Sequence, residues 1–313
     1  MMKKWLKFIA FSLLLTSCRL TPSSSLSEPS ISIDTSVNFD PTIDMSTLET
    51  RYNTFNNSFD DAQIPNQWPN YGIGDPFVYR FNGFYYLYPS TSQRGVRAYR
   101  SIDLMNWEPV TGEGLEYGYV LSPDYDESVV AYAPEVTYYD GWFYLCESQA
   151  GTGHYFFRSR SPEGPFVPYT GNVGESIDGS FFIDDDGKAY FLRAKAETIR
   201  IRRFNDDFTL SNDAFDIDNT SMGGWTEGPY VLKRNGIYYL TFTGVHVGSP
   251  GYKVGYSYLQ DSDTVFNRYG YTRAENILMN TNEEWHTLGH SSTTMGPDMD
   301  SHYIAYHSRT SGV

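Results

Sequence analysis

Short apolar stretches separated by turn residues recur along most of the chain. Five stretches share one layout: Asp75–Thr91, Ala133–Gln149, Asp178–Ala194, Glu227–Gly244 and Gly296–Ser308. Each opens on a polar or proline-containing step, runs through a short apolar strand, turns, and returns as an aromatic strand. The turns fall at Asn82-Gly83, Asp140-Gly141, Asp186-Gly187, Asn235-Gly236 and Asp300-Ser301. Asn-Gly and Asp-Gly are strong hairpin signals, because a two-residue type I′ turn needs positive φ at both central positions. The turn glycines lie 58, 46 and 49 residues apart, and Ser301 follows 65 later. Strand repeats at about 40 to 50 residues read as propeller blades. No amphipathic helix interrupts them. The pattern therefore predicts an all-β fold, a five-bladed β-propeller; a β-sandwich would have no reason to repeat at this period. The fifth repeat stops at Val313, about two strands short of a blade. Either residues 46–70 supply the missing strands or the chain is truncated.

The first 45 residues follow a different logic. Lys3, Lys4 and Lys7 precede an apolar run from Phe8 to Leu15, shorter than the roughly 20 residues that span a bilayer. This is the layout of a secretory signal peptide, residues 1–17. It ends in Leu15-Thr16-Ser17-Cys18, which resembles the lipobox of bacterial lipoproteins, whose cysteine is diacylated. Residues 18–45, rich in Ser, Thr and Pro, read as a flexible tether. The domain itself is expected over 46–313, in a mature chain of 296 residues and charge −18, held outside the cytoplasm at the bacterial surface by its lipid. Cys146 would then be a buried free thiol.

Composition narrows the function. The chain has 313 residues, 38 acidic against 23 basic side chains, a net charge of −15 and 17% aromatic residues. That acidity argues against nucleic acid as a partner and against any membrane contact beyond the anchor. Two cysteines exclude a disulfide scaffold and a Cys-based zinc site. A neutral ligand that stacks on aromatic rings suits this balance.

Three of the five repeats open on a carboxylate: Asp75, Asp178 and Glu227. Asp-Pro and Asp-Gly are also ordinary turn dipeptides. In a propeller, however, the inner strands line one channel, so equivalent openings converge at one mouth. Cleaving a glycosidic bond requires an acid for the leaving oxygen and a base for water. A third carboxylate near the acid raises its proton affinity.

On these residues the chain resembles glycoside hydrolase family 43, from residue 71 to about 308. The matching motifs are Gly74-Asp75-Pro76-Phe77-Val78, Ala133-Pro134-Glu135-Val136, Ile177-Asp178-Gly179-Ser180-Phe181-Phe182, Thr226-Glu227-Gly228-Pro229 and Gly289-His290-Ser291. The resemblance implies an inverting glycosidase with Asp75 as general base, Glu227 as general acid and Asp178 modulating and orienting the acid. It also implies a calcium ion near the propeller axis at His290, not required for the chemistry, with waters completing its shell. Two departures stand out. Tyr132 replaces a tryptophan that walls the sugar in relatives, and Ser291 replaces a glycine. Tyr132 and Arg309 are candidate sugar contacts, and His246, His286, His302 and His307 carry no assignment. The run Asp184-Asp185-Asp186-Gly187 lacks the bidentate Glu of an EF-hand and reads as a turn. The expected substrate is an arabinose- or xylose-containing plant polysaccharide or oligosaccharide, cleaved by a monomer of the α-L-arabinofuranosidase or β-xylosidase type. A β-galactan-cleaving enzyme and a non-catalytic oligosaccharide-binding lipoprotein are the alternatives.

Overall fold

The computed structural model describes residues 74–309, apart from 91–93, 112–114, 116–118, 126–130, 150–151 and 282–285 and the side chains of His286 and Arg309. The leader, Cys18 and the tether lie outside the described residues. All regular structure is β. The first sheet comprises Gly74–Phe81, Phe84–Ser90, Tyr99–Ser101 and Glu108–Pro109. The second comprises Ala131–Tyr139, Trp142–Gln149, His154–Ser159 and Val167–Pro168. Ile177–Ile183, Ala189–Lys195, Thr198–Phe204 and Leu210–Ile217 make the third. The fourth contains Thr226–Arg234, Ile237–Gly244, Lys253–Leu259 and Thr272–Arg273, with Met279–Asn280 also paired to its third strand. The fifth is a hairpin of His286–Met295 and His302–Arg309. The leading strands of the five sheets touch one another in chain order, and the last packs back on the first. This is a propeller, with its inner strands around one axis.

Aromatic strands become the glue between sheets. Phe77 and Tyr88 of the first sheet pack with Val136, Leu145 and Phe157 of the second. Tyr144, Cys146 and Phe156 of the second pack with Phe181 and Phe191 of the third. Leu192 and Ile201 of the third meet Leu240 and Phe242 of the fourth. Each fully buried ring of this kind contributes about 1.5–3 kcal/mol, so most rings here are core. Cys146 is buried and unpaired with any other cysteine.

Three hairpins turn as the dipeptides require, with positive φ at Asn82 and Gly83, Asp140 and Gly141, and Asn235 and Gly236. The other two differ. Gly187 alone has positive φ in the third turn, where the Asp184 carbonyl accepts from Gly187 N–H and Asp184 N–H donates to the Lys188 carbonyl. Asp184 is held down by Lys233 Nζ at 2.6 Å and Tyr238 Oη at 2.8 Å, which commits this acidic run to a turn. In the fifth, Met299 takes the left-handed conformation, and the loop closes between Gly296 and Ser301. Asp300-Ser301 contains no glycine to occupy a tight I′ turn, so the chain uses a wider one.

Candidate active site

One backbone device builds the mouth. Every inner strand carries a bulge near its start, where two residues oppose one on the second strand. The last paired positions before the bulges are Gly74↔Ser90, Tyr132↔Ser148, Ile177↔Ala194, Glu227↔Thr243 and Gly289↔His307. The next residue in each strand has positive φ: Asp75 (47°), Ala133 (44°), Asp178 (57°), Gly228 (55°) and His290 (43°). A left-handed residue in a bulge re-aims its side chain out of the strand's alternation. The five strands thus turn the same position toward a common space, and three of those positions hold Asp75, Asp178 and His290. Glu227 stands one residue earlier, at the register position that Tyr132 occupies in the second sheet.

The three titratable groups at the bulges touch. His290 Nδ1 lies 3.3 Å from Asp75 Oδ1 and 3.6 Å from Asp178 Oδ2. Asp75 Oδ2 accepts from Ser90 Oγ at 2.6 Å, and its Oδ1 lies 3.2 Å from His307 Nδ1. Asp178 Oδ2 accepts from Gly228 N–H at 3.1 Å. Glu227 accepts Tyr252 Oη–H on Oε1 at 2.6 Å and Trp225 Nε1–H on Oε2. Gly289 makes the Tyr252 contact possible, since a Cβ there would fall 2.1 Å from the Tyr252 ring.

These neighbours split the proton affinities. Burial works to raise Asp75, but the adjacent His290, the His307 contact and the Ser90 hydroxyl outweigh it and hold the carboxyl well below its ordinary range. Asp178 moves the other way, raised by burial and by the charge of Asp75 against the opposing Gly228 N–H. Glu227 is pushed up to about 7 by burial and by Asp178, against the Tyr252 bond. Behind them Glu135, fully desolvated, accepts Phe181 N–H at 3.1 Å and is also raised. Asp75 is thus left ionised while Asp178, Glu227 and Glu135 hold their protons to higher pH, so the mouth offers both an ionised carboxylate and a protonated carboxyl, the pair that general acid–base chemistry uses.

The expected residues fare differently. Asp75, Asp178 and His290 meet directly, and Glu227 joins them through the Gly228 amide. Tyr132 sits at the same level of the second sheet, half-buried. The Arg309 side chain, like that of His286, lies outside the described residues. His246 Nδ1 accepts Gly248 N–H within its own loop, and His302 lies at the far end of its strand, paired with Met295. For calcium, no group of three or more His, Cys, Asp or Glu side chains placed to hold an ion exists among the described residues. His290 spends Nδ1 on carboxylates, so it offers Nε2 alone to a cation that prefers six to eight oxygens. A calcium ion at His290 would therefore take its oxygens from water, as the resemblance implies. Trp225, Tyr252 and His307 escaped sequence reading, since the residues they hold lie elsewhere in the chain or carry no motif for the contact.

The fold and the site define a propeller that gathers buried carboxyl groups of opposed proton affinity at one mouth. The chain matches the model of glycosyl hydrolases family 43 over residues 70–313 and belongs to that family. It is 34% identical over 190 residues to a xylan 1,3-β-xylosidase from a Vibrio species, covering 53% of this chain and 35% of that protein. A β-D-galactofuranosidase from Aspergillus niger is 28% identical over 262 residues, 75% of this chain and 73% of that one. The solved structure of a thermostable family-43 glycoside hydrolase superposes with a TM-score of 0.66 at 26% identity, over 79% of this chain and 86% of that chain. The chain thus spans about a third of the length of the Vibrio relative.

Proposed function

We propose that the protein is an inverting glycoside hydrolase acting on arabinose- or xylose-containing plant polysaccharides or their oligosaccharides, of the α-L-arabinofuranosidase or β-xylosidase type. The observation that carries this reading is the opposite proton affinity of Asp75 and Glu227 at one mouth. Asp75 removes a proton from water as its oxygen bonds the anomeric carbon. The glycosidic C–O bond breaks, and Glu227 delivers its proton to the departing sugar oxygen. Asp178 keeps Glu227 protonated through its proximity. Single displacement by water inverts the anomeric centre. Tyr132 and Arg309 enter the proposal as sugar contacts, and the fifth hairpin as the closing blade of a five-bladed propeller. The leader and Cys18 support a lipid-anchored location outside the cytoplasm, on sequence alone.

Names of relatives support the sugar class, and one favours a second reading. The Aspergillus galactofuranosidase is matched over 73% of its length, so a β-D-galactofuranoside belongs in the test. The experiment is hydrolysis of 4-nitrophenyl α-L-arabinofuranoside, β-D-xyloside, β-D-galactoside and β-D-galactofuranoside, with Asp75→Ala as control and the product anomer read by proton NMR. Turnover of a pentoside to the inverted anomer, lost in the variant, is expected. A retained anomer refutes inversion. Oligosaccharide binding without turnover makes the protein a capture module.

A further inference from the structure

The bulges give the propeller an internal comparison. The second-strand residues opposite the five pre-bulge positions are Ser90, Ser148, Ala194, Thr243 and His307. Two of the hydroxyls cap the left-handed amide of the following sheet: Ser90 Oγ accepts Ala133 N–H at 2.7 Å, and Thr243 Oγ1 accepts His290 N–H at 3.0 Å. Ala194 cannot do this, and the Asp178 carboxylate takes over for Gly228 N–H. Between the fifth sheet and the first, the cap is an imidazole: His307 Nδ1 accepts Asp75 N–H at 3.1 Å.

A hydroxyl serves at the two equivalent junctions, so the histidine demands another reason. Its Nδ1 also lies 3.2 Å from Asp75 Oδ1. As a lone pair it accepts the amide; as N–H it donates to the carboxylate. Either contact falls on Asp75. Its Nε2 is buried with no hydrogen-bond partner among the described residues, a desolvation cost that a serine would avoid. The ring lies parallel to Tyr252, with centroids 5.8 Å apart and planes 7° off, and Tyr252 holds Glu227.

We propose that His307 is the positioning residue of the base: its Nδ1, accepting from the Asp75 amide or, when protonated, donating to the Asp75 carboxylate, seats Asp75 at the mouth, and its stack on Tyr252 fixes the ring that does so. This rests on the reading of Asp75 as general base. Two variants separate the polar contact from the packing. In His307→Asn the side-chain oxygen sits where Nδ1 sits, whereas His307→Phe keeps a ring on Tyr252 and loses the acceptor. Steady-state rates on the 4-nitrophenyl glycoside that is turned over, and on an unactivated oligosaccharide of the same sugar, give kcat and KM separately.

For His307→Phe, kcat should fall about 10- to 100-fold, the scale of a misplaced catalytic group, with KM within about twofold. The loss should be equal on both substrates, because the base acts on water whatever the leaving group. His307→Asn should recover most of it. Should His307→Phe not melt cooperatively, His307→Ser supplies the hydroxyl of positions 90 and 243 and is expected to lose about tenfold in kcat. The proposal is overturned by His307→Asn as slow as His307→Phe, by wild-type kcat in His307→Ser, or by a loss confined to the poor leaving group. Asp75→Asn separates the two failures. If it stays active, the base reading has failed; if it is dead while the His307 variants match wild type, only the positioning role has failed.

Discussion

Replacing Glu227 with glutamine should stabilise the protein above neutral pH while disabling it. A buried carboxyl whose folded pKa lies above its unfolded value binds more protons when folded. The stability it contributes is complete below the unfolded pKa and is lost as pH rises through the folded one. For Glu227 that window runs from 4.5 to about 7. At about 1.4 kcal/mol per unit, the wild type loses at most about 3 kcal/mol across it through this group. Glutamine does not titrate, and it fits the same partners. Its oxygen can face Trp225 Nε1–H, which only donates, while its amide faces Tyr252 Oη, which can turn to accept. The swap therefore removes the titration with little change in bonding. Thermal melts of both proteins from pH 4 to 9 should coincide near pH 4 and diverge through pH 7. The variant should lead by roughly 5 °C or more on the alkaline side, where 1 kcal/mol moves a domain of this size by about 2–4 °C. A difference that does not vary with pH, or a variant that melts lower at pH 8, would refute the assignment of a proton to Glu227.

Asp178→Asn should move the alkaline limb of kcat/KM down, since Asp178 is, after burial, the chief group raising Glu227; a limb that stays or rises counts against that coupling. Gly289→Ala forces a methyl into the Tyr252 ring, so a loss of about 1–3 kcal/mol by denaturant melt is expected. Its kcat should fall further on poor leaving groups than on aryl glycosides; equal losses would detach Tyr252 from the acid. The Cys146 thiol, buried and donating to the Gly179 carbonyl at 3.3 Å, should react with a thiol reagent only as fast as the domain unfolds. Rapid labelling of the native protein would contradict its placement.

What sequence reading reached was local. A hairpin turn, an aromatic return strand and a carboxylate beside Pro or Gly are all written within 20 residues, and together they mark the repeats, the inner strands and the three acids. Turn geometry departed from the two-residue form at two places: at Asp186-Gly187, a strong signal overridden where its neighbour Asp184 is tied to Lys233 and Tyr238, and at Asp300-Ser301, which lacks glycine. The groups that set proton affinities were not legible. Ser90 and His307 belong to other strands than those they hold, Tyr252 lies just before the strand that starts at Lys253, and His307 stands 232 residues from Asp75. Only closure of the ring brings such residues together, and nothing near Asp75 in the chain announces its cap.

The one-residue offset of Glu227 explains how like side chains acquire opposite duties. Asp75 and Asp178 share the left-handed position of their bulges, so both converge on the left-handed residue of the fifth sheet, His290, at 3.3 and 3.6 Å. Two buried carboxylates that close cannot both stay ionised cheaply. The one with a second imidazole and a serine hydroxyl keeps its charge, and the other is raised. Glu227, one step earlier in its strand, escapes that convergence. Its Gly228 takes the left-handed position instead, where a Cβ would press on His290 at 3.2 Å, and the carboxyl meets a tyrosine and a tryptophan, with no cation in salt-bridge reach among the described residues. An acid must keep its proton and a base must not. Moving Glu227 onto the bulge position would place it against His290 and lower the affinity on which its role depends. A backbone repeated five times thus sets the proposed acid apart from the proposed base by register, and the hydrogen-bond partners at each position set the rest.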